Sequence, residues 1–100
     1  MRVRLIGNAR QYVQQEKSYL AARSKQAAED FLARMREAQV ILGQFPDIGL
    51  AHDLPIPGTR RLIIGSYLLD YRMRPDEVQI LLVRHARQLP LTSDDDTVDP

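Results

Sequence analysis

The chain has 100 residues, 44% of them apolar, a formal net charge of +1 and no cysteine. This length supports one small core and excludes a separate cofactor-binding domain. The lack of cysteine excludes disulfides, thiolate metal sites and catalytic thiols, which fits a reducing compartment. No apolar stretch approaches the roughly 20 residues of a membrane span, and His52 has no second histidine nearby to complete a metal site. We therefore expect a soluble, cytoplasmic protein without metal or cofactor.

The small net charge hides an uneven distribution. Four of the 13 acidic residues lie in residues 91–100, so residues 1–90 hold 14 basic and nine acidic side chains, and 12 of the bases are arginine. Guanidinium groups form forked hydrogen bonds with carboxylate and phosphate. The composition therefore fits an acidic protein partner, a nucleic acid or an ordinary solvated surface. We expect one domain at residues 1–90 and a disordered acidic tail at residues 91–100.

The first half of the chain predicts one strand followed by two helices. Residues 2–6 alternate as in a strand, and Asn8 is a candidate cap for a helix over residues 9–22. Ser24 is a candidate cap for a second helix, which the segment Phe45-Pro46-Asp47-Ile48-Gly49 ends, because proline forces the preceding residue out of the α region. The short link between the helices predicts a helical hairpin.

The second half predicts three strands, at residues 60–64, 67–72 and 78–85. Gly65-Ser66 between two apolar runs indicates a tight hairpin turn, and Pro75-Asp76 indicates the next turn. Strands joined by such turns are antiparallel. We therefore predict an α+β fold in the order βααβββ, with the helical hairpin packed on one face of a small antiparallel sheet.

Strict alternation of side chains predicts that the second sheet face is mixed in character. It is too apolar for a freely solvated surface and too charged for a sealed interior, which fits either a groove for another chain or coverage by the loop at residues 49–58. Arg60 and Arg61 are adjacent and must point to opposite faces, so only one of them serves such a groove. The candidate partner-binding residues are Arg60, Arg61, Leu68, Asp70, Arg72, Leu81, Val83, Arg84 and His85.

Several of these segments, taken in order, resemble the RelE/ParE toxin superfamily of type II toxin-antitoxin systems. They are Ala27-Ala28, Phe31-Leu32, Leu42 with residues 45–49, Gly58-Thr59-Arg60-Arg61, residues 67–72 and residues 78–87. The resemblance covers nearly everything from the first strand to about Pro90. It implies a small toxin with two helices on an antiparallel sheet, encoded beside an antitoxin whose flexible carboxyl-terminal segment wraps around it.

The two branches of this superfamily imply different functions. RelE-like members are ribosome-dependent endoribonucleases that cleave mRNA, whereas ParE-like members act against DNA gyrase. For a nuclease, the candidate catalytic residues are Arg61, Arg84, His85 and Arg87, which can supply cations and a proton shuttle. The lysine-rich surface and the tyrosine after the last strand that many nuclease members carry are absent, since Lys17 and Lys25 are the only lysines.

The ending Arg-His-Ala-Arg at residues 84–87 and the Pro-x-x-Gly after the second helix look more like ParE. We therefore predict a ParE-like toxin of a plasmid-stabilising type of system, which inhibits DNA gyrase by binding and is neutralised by a cognate antitoxin. The alternatives are a RelE-like endoribonuclease acting with the ribosome, and a toxin-like module that has lost toxicity and survives as a binding partner.

Overall fold

The computed structural model describes residues 1–88, and the expected acidic tail at residues 91–100 lies outside this range. The predicted order βααβββ is confirmed. The elements are β1 (Arg2–Leu5), α1 (Asn8–Ala21), α2 (Lys25–Gln44), β2 (Arg60–Ile64), β3 (Tyr67–Met73) and β4 (Glu77–His85), followed by a short 3₁₀ turn (Ala86–Gln88).

The two helices begin in different ways. The Ser24 hydroxyl accepts a hydrogen bond from the Ala27 amide at 3.1 Å, so the predicted cap of α2 is confirmed. The predicted cap of α1 is wrong, because Asn8 is already helical and Gly7 holds the cap position with φ 52° and no side-chain hydrogen bond. A glycine tolerates this left-handed conformation without the steric cost that a side chain would add.

The four strands form one sheet in the order β1-β4-β3-β2. Strands β2, β3 and β4 form the predicted antiparallel meander, with Gly65 at φ +57° in the turn between β2 and β3. Strand β1 pairs in parallel with β4, so the sheet is mixed rather than wholly antiparallel. Parallel partners need a long connection, which here includes both helices.

The helical hairpin covers one face of the sheet and builds the core there. The buried apolar residues of both helices contact those of the sheet in a single cluster, and in α2 they recur at the three- and four-residue spacing of one helix face. The cluster consists of Ala9, Phe31, Met35, Ala38, Leu42, Leu62, Ile64, Tyr67, Leu69, Tyr71, Val78, Ile80 and Val83.

The segment after α2 is tied to the sheet at the edge of β2. The Gly49 amide donates a hydrogen bond of 2.8 Å to the Tyr71 hydroxyl, which is buried. Leu50 and Arg61 then exchange two backbone hydrogen bonds of 2.9 and 2.7 Å, forming an antiparallel bridge. The loop that the sequence places at residues 49–58 therefore starts along the β2 edge.

Candidate partner-binding site

The face of the sheet away from the helices, here called the outer face, gathers most of the predicted partner-binding residues. Side chains of directly opposed residues in paired strands project from the same face. Asp70 lies opposite Arg61 of β2 and Leu82 of β4, and Leu68 lies opposite Arg84. By this register the outer face carries Arg2, Arg4, Arg61, Ile63, Leu68, Asp70, Arg72, Glu77, Gln79, Leu82 and Arg84.

A bidentate ion pair between Arg61 and Asp70 joins the edge strand β2 to its neighbour β3 on the outer face. The Arg61 Nε and Nη2 atoms donate to the two Asp70 carboxylate oxygens at 2.6 and 2.9 Å. The Asp70 side chain is 1% exposed and that of Arg61 is 17% exposed. The hydrogen bond to Asp70 raises the pKa of Arg61, so this cation stays charged and partly occupied by its own chain.

A second polar network crosses the outer face from β1 to β3. Arg4 donates to both oxygens of the Glu77 carboxylate at 3.0 and 2.9 Å, and Gln79 donates to Glu77 at 2.6 Å. Arg72 donates in turn to the Gln79 side-chain oxygen at 2.8 Å. The hydrogen bonds from Arg4 and then Gln79 lower the pKa of Glu77 to about 2. Sequence alternation alone did not identify this network.

Two large apolar side chains stand exposed next to these charges. Ile63 of β2 is 59% exposed, and Leu50, bridged to Arg61, is 65% exposed. Leu68 of the neighbouring strand is buried and does not belong to the core cluster on the helix side. The outer face thus combines fixed charges with exposed aliphatic surface, although its exposed aliphatic residues differ from the apolar residues that the sequence predicted for it. Exposed aliphatic surface flanked by charge is typical of a protein-binding surface.

Strand β4 contains a β-bulge at Leu81. Asp70 is paired with Leu82, whereas the next residue, Tyr71, is paired with Ile80. Leu81 therefore has no counterpart on β3, and the alternation of side chains reverses at this point.

This reversal corrects the predicted faces of two residues. Val83 and His85 were expected on the partner-binding face, but both lie on the helix side. Val83 is fully buried in the core cluster, and His85 lies opposite Tyr67, with the two rings edge to face and their centres 5.1 Å apart. Leu82 and Arg84 take their places on the outer face.

His85 lines a cleft of about 440 Å³ on the helix side, together with Glu16, Tyr19, Leu20, Tyr67 and Arg87. Its Nδ1 atom accepts a hydrogen bond from the Arg87 amide at 3.1 Å. The Tyr67 hydroxyl donates to the Glu16 carboxylate at 2.8 Å. Burial and this hydrogen bond raise the pKa of Tyr67, so its hydroxyl stays protonated at neutral pH.

The guanidinium groups of two further arginines contact other parts of the chain. Arg60 donates to the carbonyl oxygens of Asp47 and Gly49 at 3.2 and 3.0 Å, so it holds the segment after α2 and Arg61 alone of the adjacent pair serves the outer face. The Arg84 guanidinium donates to the Val83 carbonyl at 3.1 Å and lies 6.0 Å from the centre of a tyrosine ring on α1.

The four candidate nuclease residues do not converge on one point. Arg61 and Arg84 belong to the outer face by their strand register, whereas His85 and Arg87 line the cleft on the helix side. The sheet therefore lies between the candidate proton shuttle and the cation held by Asp70.

The predicted partner-binding residues do not include several contributors to the outer face. Alternation along β1 and β2 was sufficient to place Arg4 and Ile63 there. The link between Gln79 and Glu77 had no local signal in the sequence. Leu50 could not be found, because its bridge to β2 depends on the path of the chain after α2.

Within residues 1–88, no group of three or more histidine, cysteine, aspartate or glutamate side chains is placed to hold a metal ion. Neither α1 nor α2, nor the short 3₁₀ turn, is both long enough and apolar enough to cross a membrane.

Comparison with known proteins identifies the family. A family model described as the ParE toxin of type II toxin-antitoxin systems, parDE, matches residues 3–90. Among solved structures, a chain of the chromosomal ParDE TA system from P. aeruginosa superposes with a TM-score of 0.70 at 18% sequence identity, over 85% of this chain and 95% of that chain. No curated protein matches the chain. The structural likeness supports the fold, and the family model covers most of the chain.

Proposed function

This chain belongs to the family of ParE toxins of type II toxin-antitoxin systems, and we propose that it acts by binding and inhibiting DNA gyrase. We further propose that a cognate antitoxin neutralises it by covering the outer face. The parDE description of the family supports an antitoxin partner, and the gyrase target comes from the ParE-like features of the sequence.

The observation that carries inhibition by binding, rather than cleavage, is the separation of the candidate catalytic groups. A ribonuclease needs a base, an acid and cations within hydrogen-bond reach of one phosphate. His85 lies on the helix side and Arg61 lies on the outer face. Arg61 also donates two of its hydrogen bonds to Asp70. A toxin that acts by binding requires none of these groups to meet.

The first experiment separates the two activities. Expression without antitoxin should filament cells and induce the DNA-damage response, and the purified toxin should impair supercoiling by gyrase. His85→Ala should keep most of both effects, because no proton transfer is needed. Loss of a general acid or base costs about 100-fold to 10,000-fold in rate. Near-complete loss of toxicity in His85→Ala, together with mRNA cut on translating ribosomes and unaffected gyrase, would establish the RelE-like alternative instead.

The proposed antitoxin segment is acidic and apolar, because it must match both the arginines and the exposed aliphatic side chains of the outer face. Arg61, Arg72 and Arg84 are the proposed charged anchors, and Ile63 and Leu50 offer apolar contacts. A segment that orders on binding can wrap such a surface and bury about 1,200 Å² or more in total.

Charge reversal tests this surface. Toxin carrying Arg72→Glu or Arg84→Glu should bind co-expressed antitoxin at least about 10-fold more weakly, since each reversal replaces an attraction with a repulsion. Arg36→Glu is the matched control, because Arg36 is exposed on α2, away from the outer face. Unchanged affinity in both outer-face variants, or an equal loss in the control, would remove this face from the proposal.

A further inference from the structure

The charges of the outer face suit both the phosphates of RNA and the carboxylates of an acidic protein. Its strands carry Arg2, Arg4, Arg61, Arg72 and Arg84 against two carboxylates, Asp70 and Glu77. A rigid, arginine-rich surface is a chemical match for phosphate as well as for carboxylate. A toxin whose partners are proteins would lose specificity if this face also bound cellular RNA.

Asp70 is placed to prevent that binding. Its two oxygens occupy the Nε and Nη2 donors of Arg61, which together form one edge of the guanidinium fork, at 2.6 and 2.9 Å. A phosphate can therefore make no bidentate contact along this edge. The carboxylate is 1% exposed and is held by its partner, so it stays in place when a polyanion approaches. Paired charge of this kind is costly to separate, because one member would be left buried and uncompensated.

The same carboxylate interferes less with a protein partner. Nucleic acids gain nearly all of their non-specific affinity from phosphate contacts, so one fixed negative charge among the arginines weakens the main attraction. A protein segment can place its acids elsewhere along the face. It can also gain affinity from burying Ile63 and Leu50, which are exposed here and which RNA phosphates cannot match.

We infer that Asp70 is a specificity-determining residue of the outer face, which holds Arg61 and repels phosphate so that the face accepts an acidic, apolar protein segment and rejects RNA. This inference rests on the proposed function, in which the bound partners are proteins. Asp70 acts through Arg61 and is a positioning residue rather than a catalytic one.

The test is the RNA affinity of the purified full-length chain. Binding of a fluorescent single-stranded oligouridine is followed by anisotropy from low to physiological salt. Asp70→Asn should bind the oligouridine at least about 10-fold more tightly than wild type. The logarithm of its association constant should also fall more steeply with the logarithm of the salt concentration, with a slope larger by about 0.7, the value for one additional phosphate contact on a single strand. Adding Arg61→Gln to this variant should abolish the gain.

The matched control is Asp53→Asn. It changes the net charge equally at an exposed loop position whose carboxylate is 85% exposed. It should leave RNA affinity within about twofold of wild type, since a solvated charge is screened by salt. An equal gain in Asp53→Asn, or a folded Asp70→Asn with wild-type RNA affinity, would overturn the inference.

A second variant covers the case in which Asp70→Asn does not fold. The double variant Asp70→Asn/Arg61→Gln removes both members of the ion pair, so it leaves no buried charge uncompensated. Its low-salt RNA binding should stay within about twofold of wild type, because Asp70 already occupies the Arg61 guanidinium, whereas Arg84→Gln should weaken binding. A loss in the double variant as large as that of Arg84→Gln would contradict the inference. The assay contains neither gyrase nor antitoxin, so its outcome is independent of the gyrase experiment.

Discussion

Replacing Gly49 with alanine tests how the segment after α2 is fixed to the sheet. A Cβ atom added at Gly49 would lie 2.7 Å from the Tyr71 hydroxyl oxygen, 2.8 Å from its Cε1 atom and 2.9 Å from the Arg61 carbonyl oxygen. All three distances are shorter than van der Waals contact. Tyr71 is fully buried in the core and the Arg61 carbonyl is backbone, so neither neighbour can move aside cheaply.

The cost of Gly49→Ala follows from two contributions. Overpacking of a well-packed site costs about 1–3 kcal/mol, and the strained or lost hydrogen bond from the Gly49 amide to Tyr71 costs about 0.5–1.5 kcal/mol. The free energy of unfolding should therefore fall by about 2–4 kcal/mol. The free energy of unfolding falls by about 2 kcal/mol for each M of urea, so the urea midpoint should fall by about 1–2 M.

Equilibrium urea denaturation followed by circular dichroism measures this change. Tyr71→Phe is the control, since it removes the hydroxyl but keeps the ring, and it should cost only about 1 kcal/mol. The double variant should be less destabilised than the sum of the two single variants, because one of the clashes is gone. A Gly49→Ala midpoint within about 0.2 M of wild type would refute the packing argument.

Two further predictions concern pH and the chain terminus. Because hydrogen bonds lower the pKa of Glu77 from 4.5 to about 2, its stabilising contribution is complete above about pH 4.5 and is lost as the pH falls towards 2. In Glu77→Gln the free energy of unfolding should fall less steeply over this pH range than in wild type. An unchanged pH dependence would contradict the role given to the Glu77 carboxylate. Truncation after Pro90 should leave the Tm nearly unchanged, because residues 91–100 have no apolar pattern; a drop of more than a few degrees would contradict it.

The elements of this fold were predictable where their signals are local. A serine cap, the proline after α2 and the glycine turn between β2 and β3 each act within a few residues, and the structure contains the elements that they predict. The parallel pairing of β1 with β4 was not predictable in this way. It joins residues such as Val3 and Val78, which are 75 positions apart in the numbering, and no local pattern encodes such a contact.

The candidate site was predictable only in part, because alternation is reliable only while the register holds. Along β3 the predicted faces are correct, and Leu68, Asp70 and Arg72 share the outer face. Along β4 the bulge reverses them after Ile80. The continuous apolar run at residues 80–83 was the available signal, since four successive apolar residues break a pattern of period two.

This single extra residue bears directly on the choice between cleavage and binding. With an unbroken register, His85 would share a face with Asp70 and Arg61, and a histidine beside an arginine on a rigid sheet would provide part of a nuclease site. The bulge instead turns His85 against Tyr67 on the helix side and brings Arg84 to the outer face. The residue types in the sequence are therefore compatible with both branches of the superfamily. The register of β4 places the arginines Arg61 and Arg84 on the outer face and His85 in the cleft on the helix side. This separation favours a toxin that acts by contact with proteins.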